Sequence, residues 1–113
     1  MDFELTEEQK LTRQAVRDFA EREIAPVARE LDEKEQFSIE LTQKMAELGL
    51  LGCFVSEKYG GSNMGYVSYI IVVEEIARVD GSQAATIAAG NSLGISPIYY
   101  FGNEKQKKEW LPK

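Results

Sequence analysis

Histidine is missing from this chain altogether. No side chain therefore titrates near neutral pH without a strong shift, and a general base would have to be a displaced Glu, Asp or Lys. The single cysteine, Cys53, excludes an internal disulfide and any cysteine-rich metal site. Set between Gly52 and Phe54, it reads as a buried, inert thiol. No apolar run approaches the roughly 20 residues of a membrane span. The opening Met1-Asp2-Phe3-Glu4 is acidic and lacks a signal pattern, so the chain is expected in a reducing cytoplasm. Basic residues are the minority, 13 against 19 acids for a net charge of −6, and no basic stripe offers itself to phosphates, which excludes nucleic acid as a partner. Lys105, Lys107 and Lys108 form the only basic run and read as a solvated helix face. What is present, 43% hydrophobic and 28% charged residues in 113, suits one soluble globular domain.

The chain is organised around the stretch from Glu74 to Asn103. It reads as the end of one buried helix, a turn at Asp80-Gly81 and a second helix unusually rich in small residues. Ala84, Ala85, Ala88, Ala89, Gly90 and Gly94 leave a groove where most core helices carry Leu or Phe. Glycine inside a helix costs roughly 1 kcal/mol relative to alanine, so something is expected to approach Gly90 and Gly94 closely. Two occupants fit: a neighbouring helix, or a long apolar ligand.

The rest of the chain reads as helices joined by short loops. Thr6 with Gln9 fits a capping box, with Glu7 and Glu8 at the positive end of the helix that follows. Leu11, Ala15 and Phe19, then Val16, Ala20, Ile24 and Leu31, form its apolar stripe, and Pro26 is expected to kink or divide it. Ser38 caps a short helix ended by Gly49, with Leu41, Met45 and Leu48 buried. Leu50 to Val55 is apolar and irregular, and Lys58 to Asn63 is a loop. Tyr66 to Ala77 has strand-forming residues, but its length favours a helix, with Ile70, Val73, Ile76 and Ala77 on one face. Ser82 is read as the cap of the small-residue helix. That helix is expected to break near Ile95 to Pro97, and Asn103 with Gln106 starts a last short helix. Trp110, just before Pro112, needs something to pack on. The sum is all-α, an orthogonal or up-down bundle of about five helices.

Candidate chemistry is sparse. Glu74 and Glu75 point about 100° apart on a helix, so they do not form one acid–base site; one is expected to face solvent and the other to pair. Glu57-Lys58-Tyr59 reads as surface with nothing nearby to shift a pKa. The paired glycines Gly60-Gly61 lack the strand and further glycines of a nucleotide-binding fingerprint. No nucleophile with a base and no metal triad is present, so no catalytic residue is assigned.

Five segments in order, LTEEQKLTRQAVRDFAEREIAPVA, ELGLLG, EKYGG, EEIARVDGS and GNSLGISPI followed by FGNEKQKKEWLP, resemble the amino-terminal helical domain of the acyl-CoA dehydrogenases over essentially the whole chain. The resemblance implies a longer enzyme whose middle β and carboxy-terminal helical domains are absent from residues 1–113. Such an enzyme would remove the α and β hydrogens of an acyl-CoA with FAD as cofactor, the flavin and the catalytic glutamate being held mainly by those other domains. By the same resemblance Thr86, Ala89, Gly90 and Leu93 form one wall of the acyl pocket. Leu48, Leu50 and Val72 match the docking site for electron-transferring flavoprotein, from which Thr12 and Ser62 depart as polar residues where apolar ones are usual. Two such polar groups in a small apolar socket would weaken docking by about 1–3 kcal/mol, leaving room for another acceptor. A homotetramer is the family's usual state. The acyl-CoA oxidases are the neighbouring alternative, and a stand-alone helical interaction module is the competing reading from another class.

Overall fold

The computed structural model describes residues 1–112. Thr6 opens the first helix, α1 (Glu7–Phe19). Its hydroxyl accepts from the Gln9 amide at 3.2 Å while the Gln9 side chain accepts from the Thr6 amide at 2.9 Å, the expected capping box. At the proline the chain does not stop. It passes through a wider π-helical turn, Ala20–Ile24, and continues as α2 (Ala25–Glu33), with Pro26 in the first turn. Proline lacks an amide hydrogen and its ring strikes the carbonyl four residues back; the widened turn accommodates both.

The same device recurs in the second half. After α3 (Ile39–Glu47) and α4 (Gly65–Ala77), α5 (Gly81–Ala89) runs through a π-helical turn, Gly90–Ile95, into α6 (Ser96–Phe101), with Pro97 in the first turn. The expected break near Ile95 to Pro97 is thus corrected. Ser96 stays helical at φ −55° and ψ −45°, because the π turn absorbs the mismatch that otherwise biases a residue before proline. The cap of α5 is also corrected. Asp80, not Ser82, accepts from the Ser82 and Gln83 amides at 2.9 and 3.4 Å, and Ser82 lies inside the helix. The chain closes with α7 (Glu104–Trp110), capped reciprocally by Asn103 and Gln106. Counting each proline-bent pair as one arm, α1 with α2 and α5 with α6, the bundle has five arms, and no strand occurs among the described residues. No described helix is long and apolar enough to cross a membrane.

Helix α4 is the centre, packed against α1 on one side and α5 on the other. The core joins Val16, Phe19, Ala20 and Ile24 from the first arm to Leu41 and Met45 of α3, Val72 and Ile76 of α4, and Ile87 of α5. Three helices depart in part from their expected buried faces. On α4 the buried set is Ser68, Tyr69, Ile71, Val72, Glu75 and Ile76, while Ile70 is 57% exposed and Ala77 exposed. A run apolar on every side gives no periodicity to choose a face, so the two neighbouring helices choose it. On α3, Leu41 and Met45 are buried but Leu48 is 53% exposed, because the helix ends before it at Glu47. Leu11 and Ala15, assigned to the apolar stripe of α1, are also exposed.

One ionic knot fixes α1 on α4. Glu75 is fully buried, and Arg17 donates to it twice, from Nε at 2.8 Å and from Nη2 at 3.0 Å. Arg78 donates from Nη1 at 3.4 Å, and Arg13 Nε stands 3.6 Å away. Glu74 turns to solvent, 3.5 Å from Arg13, so the acidic pair divides as its spacing requires. The hydrogen bond from Arg17 holds the Glu75 carboxyl below the usual carboxylate range, against the opposing effect of burial. A carboxylate so depressed contributes stability that is complete above the ordinary carboxylate range and is lost as pH falls through its lowered value. Glu75→Gln is therefore expected to lower unfolding stability by about 2–4 kcal/mol at neutral pH, less than for a fully enclosed pair because the arginines can turn to water. Its denaturation midpoints should also fall less steeply on acidification than those of the parent. Equal acid sensitivity of the two proteins would contradict this account of the knot.

Candidate functional site

The small-residue helix is held from behind by one side chain that sequence reasoning passed over. Asn91 is fully buried in the π turn after α5. Its Oδ1 accepts from the Gly52 and Cys53 amides at 2.8 and 3.1 Å, and its Nδ2 donates to the Leu50 and Ile87 carbonyls at 2.9 and 3.0 Å. A single amide thus meets all its hydrogen-bonding capacity and pins the irregular segment 50–55 to the helix. The one available signal was an asparagine, a poor interior helix former, placed among alanines and glycines.

That anchoring explains Gly90. A Cβ there would come within 2.8 Å of Leu51 Cδ2, so the glycine admits the loop that Asn91 holds. The neighbour is the tip of a loop side chain, not the helix that the plainer of the two readings expects. At Gly94 an added Cβ meets only the Ala89 carbonyl at 4.0 Å.

Thr86, Ala89, Gly90 and Leu93 follow one another at intervals of three, one and three along this helix. Ala89 is exposed, Leu93 is 78% exposed, and Thr86 and Gly90 are half-buried, so the four form an open face rather than an enclosed pocket. The hydroxyls nearby are returned to the helix itself. Thr86 donates to the Ser82 carbonyl at 3.1 Å and Ser92 to the Ala88 carbonyl at 2.6 Å, which leaves the face apolar in character. Tyr69 of α4 braces it, donating to the Ala88 carbonyl at 2.9 Å.

A second apolar feature lies between α1 and the loop that joins α3 to α4. Leu11, Thr12, Ala15, Val16, Leu48, Leu50 and Met64 line a hollow of about 310 Å³. Of the residues matched to a docking socket, it brings together Leu48, Leu50 and Thr12. Val72 is not among its lining, being fully buried in the core. Ser62 is not either: its hydroxyl donates to the Gly49 carbonyl at 2.6 Å.

The loop between α3 and α4 corrects one expectation. Tyr59 is buried, not surface, and its hydroxyl donates to Glu104 at 2.8 Å, with Lys58 3.3 Å from the same carboxylate. The bond to Glu104 pushes the Tyr59 phenol up and draws the Glu104 carboxyl down. This contact fastens α7 to the loop and carries no chemistry of its own. The Gly60-Gly61 pair does not fit a cofactor phosphate. Both amides are engaged internally, to the Glu57 and Ser56 carbonyls, and a Cβ on Gly61 would fall 2.1 Å from the Val55 carbonyl oxygen. Cys53 is buried, donates to the Leu50 carbonyl at 3.1 Å and has its thiol pushed up to about 11 by burial, so it is inert as expected. Among the described residues no group of three or more His, Cys, Asp or Glu is placed to hold a metal ion.

The fold and these faces define an all-α domain that presents apolar surface. The family described as "Acyl-CoA dehydrogenase, N-terminal domain" matches residues 6–113, and the chain belongs to it. A probable acyl-CoA dehydrogenase of Bacillus subtilis is 48% identical over 98% of the chain. Butyryl-CoA dehydrogenase of Megasphaera elsdenii superimposes with a TM-score of 0.92 at 40% identity over 99% of the chain. A chain from a structural study of the electron transferring flavoprotein of Acidaminococcus fermentans does so with a TM-score of 0.96, also at 40% identity over 99%. The chain spans 29% of the length of the Bacillus protein and 30% of each of the two structures.

If Asn91 sets this face, Asn91→Ala should leave two amides and one loop carbonyl unpaired and lower stability by about 3–5 kcal/mol. Hydrogen exchange should locate the loss at residues 50–55 and α5. Protection unchanged in that loop would contradict the assignment.

Proposed function

We propose that this chain is the amino-terminal domain of an FAD-dependent acyl-CoA dehydrogenase, which converts an acyl-CoA thioester to the 2-enoyl-CoA. In this reading the middle β domain and the carboxy-terminal helical domain belong to the longer protein, and the flavin is held there, since the glycine loop of this chain is filled by its own backbone. The observation that carries the reading is the open face of Thr86, Ala89, Gly90 and Leu93, on a chain 40% identical to butyryl-CoA dehydrogenase over 99% of its length. The face serves as one wall of the acyl site and supplies shape, not proton transfer.

The substrate class follows from charge. No Lys or Arg occurs between Gly81 and Phe101, so a buried second carboxylate would find no cation on this wall. The acyl group is an apolar chain rather than a dicarboxylyl one. Electrons leave to an electron-transferring flavoprotein seated on the hollow of Leu48 and Leu50, with Val72 acting only through packing beneath the surface. The likeness to a chain from the Acidaminococcus study supports this partner. A homotetramer in the cytoplasm completes the reading, supported by the family resemblance and by the unpaired, buried thiol of Cys53.

Substrate profiling of the full-length, flavin-loaded enzyme tests the wall. Ala89→Phe is expected to reduce kcat/KM for octanoyl-CoA by about tenfold or more and for butyryl-CoA distinctly less, because added bulk excludes the longer tail first. Equal losses for both substrates, or a parent preference for glutaryl-CoA, would overturn the proposal.

A further inference from the structure

Gly49 joins the two leucines of the apolar hollow and sits at φ +78°, the left-handed region that favours glycine. Its carbonyl accepts from Ser62 Oγ at 2.6 Å. The fit is close: a Cβ on Gly49 would lie 2.4 Å from that same hydroxyl oxygen. Ser62 is itself held, its amide donating to the Gly52 carbonyl at 3.1 Å, while Met64, two residues on, donates to the Cys53 carbonyl at 2.6 Å. Leu48, Leu50 and Met64 all line the hollow. The hydroxyl therefore adds a side-chain tie, at the residue between the two leucines, to the backbone bonds that join this segment to the one carrying the methionine. Leu48, 53% exposed, caps the end of α3: its amide and that of Gly49 bond back into the helix, donating to the Lys44 and Ala46 carbonyls at 3.1 and 2.9 Å, while the Gly49 carbonyl points out of it and is met by Ser62.

We propose that Ser62 is a positioning residue for the acceptor-docking hollow, fixing Leu48 and Leu50 through the Gly49 carbonyl, and is not a polar flaw in the lining. The inference rests on the docking reading above. It also reverses the sign expected from sequence. A polar lining residue would hinder an apolar partner side chain, so its removal would tighten docking. A positioning residue supports the rim, so its removal loosens docking.

The test uses the full-length, flavin-loaded enzyme and purified electron-transferring flavoprotein. Three variants are compared: Ser62→Ala, Ser62→Thr, which keeps the hydroxyl, and Leu48→Ala. Affinity for the flavoprotein is measured by calorimetric titration, independently of turnover, and KM for the same protein in steady state. Ser62→Ala should raise both Kd and KM for the flavoprotein about three- to tenfold, the worth of one partly buried hydrogen bond. Ser62→Thr should stay within twofold of the parent, an order-of-magnitude margin set by the same bond. KM for acyl-CoA, and kcat with a small dye acceptor, should not move in Ser62→Ala. A Kd for Ser62→Ala that is unchanged or tighter, with Leu48→Ala weakened, overturns the positioning role and leaves the docking reading standing. A Kd unchanged in Leu48→Ala overturns the docking reading and the inference with it. Parallel losses in dye-linked turnover would show a general structural defect and also overturn the proposal.

Discussion

Both apolar surfaces of this domain depend on the four hydrogen bonds of Asn91. The segment from Leu50 to Val55 has no helical or strand ladder to satisfy its backbone, yet Leu50, Cys53, Phe54 and Val55 are buried. Buried backbone without partners is costly, about 1–3 kcal/mol for each group. Asn91 supplies partners for two amides and one carbonyl of that segment at once. Leu50 is thereby fixed as part of the hollow, and Leu51 is pressed against Gly90 under the outward face of α5. One buried amide thus anchors the segment that brings Leu50 to one surface and Leu51 against the other.

The knot at Glu75 acts on a different link of the structure. Helix α4 is apolar nearly all round, which makes it a good centre but a poor specifier of rotation, since several faces could be buried at similar gain. A single carboxylate that must meet the α1 arginines removes that freedom. Burying Glu75 carries a desolvation penalty that its three cations offset, and the arginines keep part of their hydration because each remains substantially exposed. The net stabilisation is modest for so many charges. What the arrangement adds is register: α1 can slide or turn on α4 only by stranding a charge. Ile70 and Ala77 then face outward, and the sequence pattern could not have assigned them there.

This division between local and long-range causes is also the division between what could and could not be read from the sequence. The capping boxes at Thr6 and Asn103 involve residues three apart, so they were visible in the chain. The division of Glu74 from Glu75 followed from helix geometry alone. Pro26 and Pro97 announced irregularities, but not their form; whether a helix breaks or widens depends on what the next turn packs against, and here both widen. Asn91 bonds to residues about 40 positions earlier, and no local pattern marks such a partner. Ser62 occupies a position that matches the socket, whereas its hydroxyl is taken up by Gly49. Of the face from Thr86 to Leu93, the small residues were legible as a groove. The reason for Gly90, a leucine approaching from another segment, was not.

The polar chemistry of the domain is spent on holding it together. Glu75 is enclosed by arginines, Asn91 is saturated by backbone, Tyr59 is bound to Glu104, and Thr86 and Ser92 bond their own helix. A carboxylate already bridged by cations is a poor base, and a hydroxyl already donating is a poor nucleophile. On the arm of α5 and α6 the outward face includes large apolar side chains, with Leu93 and Phe101 78% and 89% exposed. Single exposed apolar residues need no explanation, but these stand on a helix whose back is fixed by a fully satisfied amide network. A surface braced in this way keeps its shape when an apolar chain is laid on it, so less ordering is required on binding.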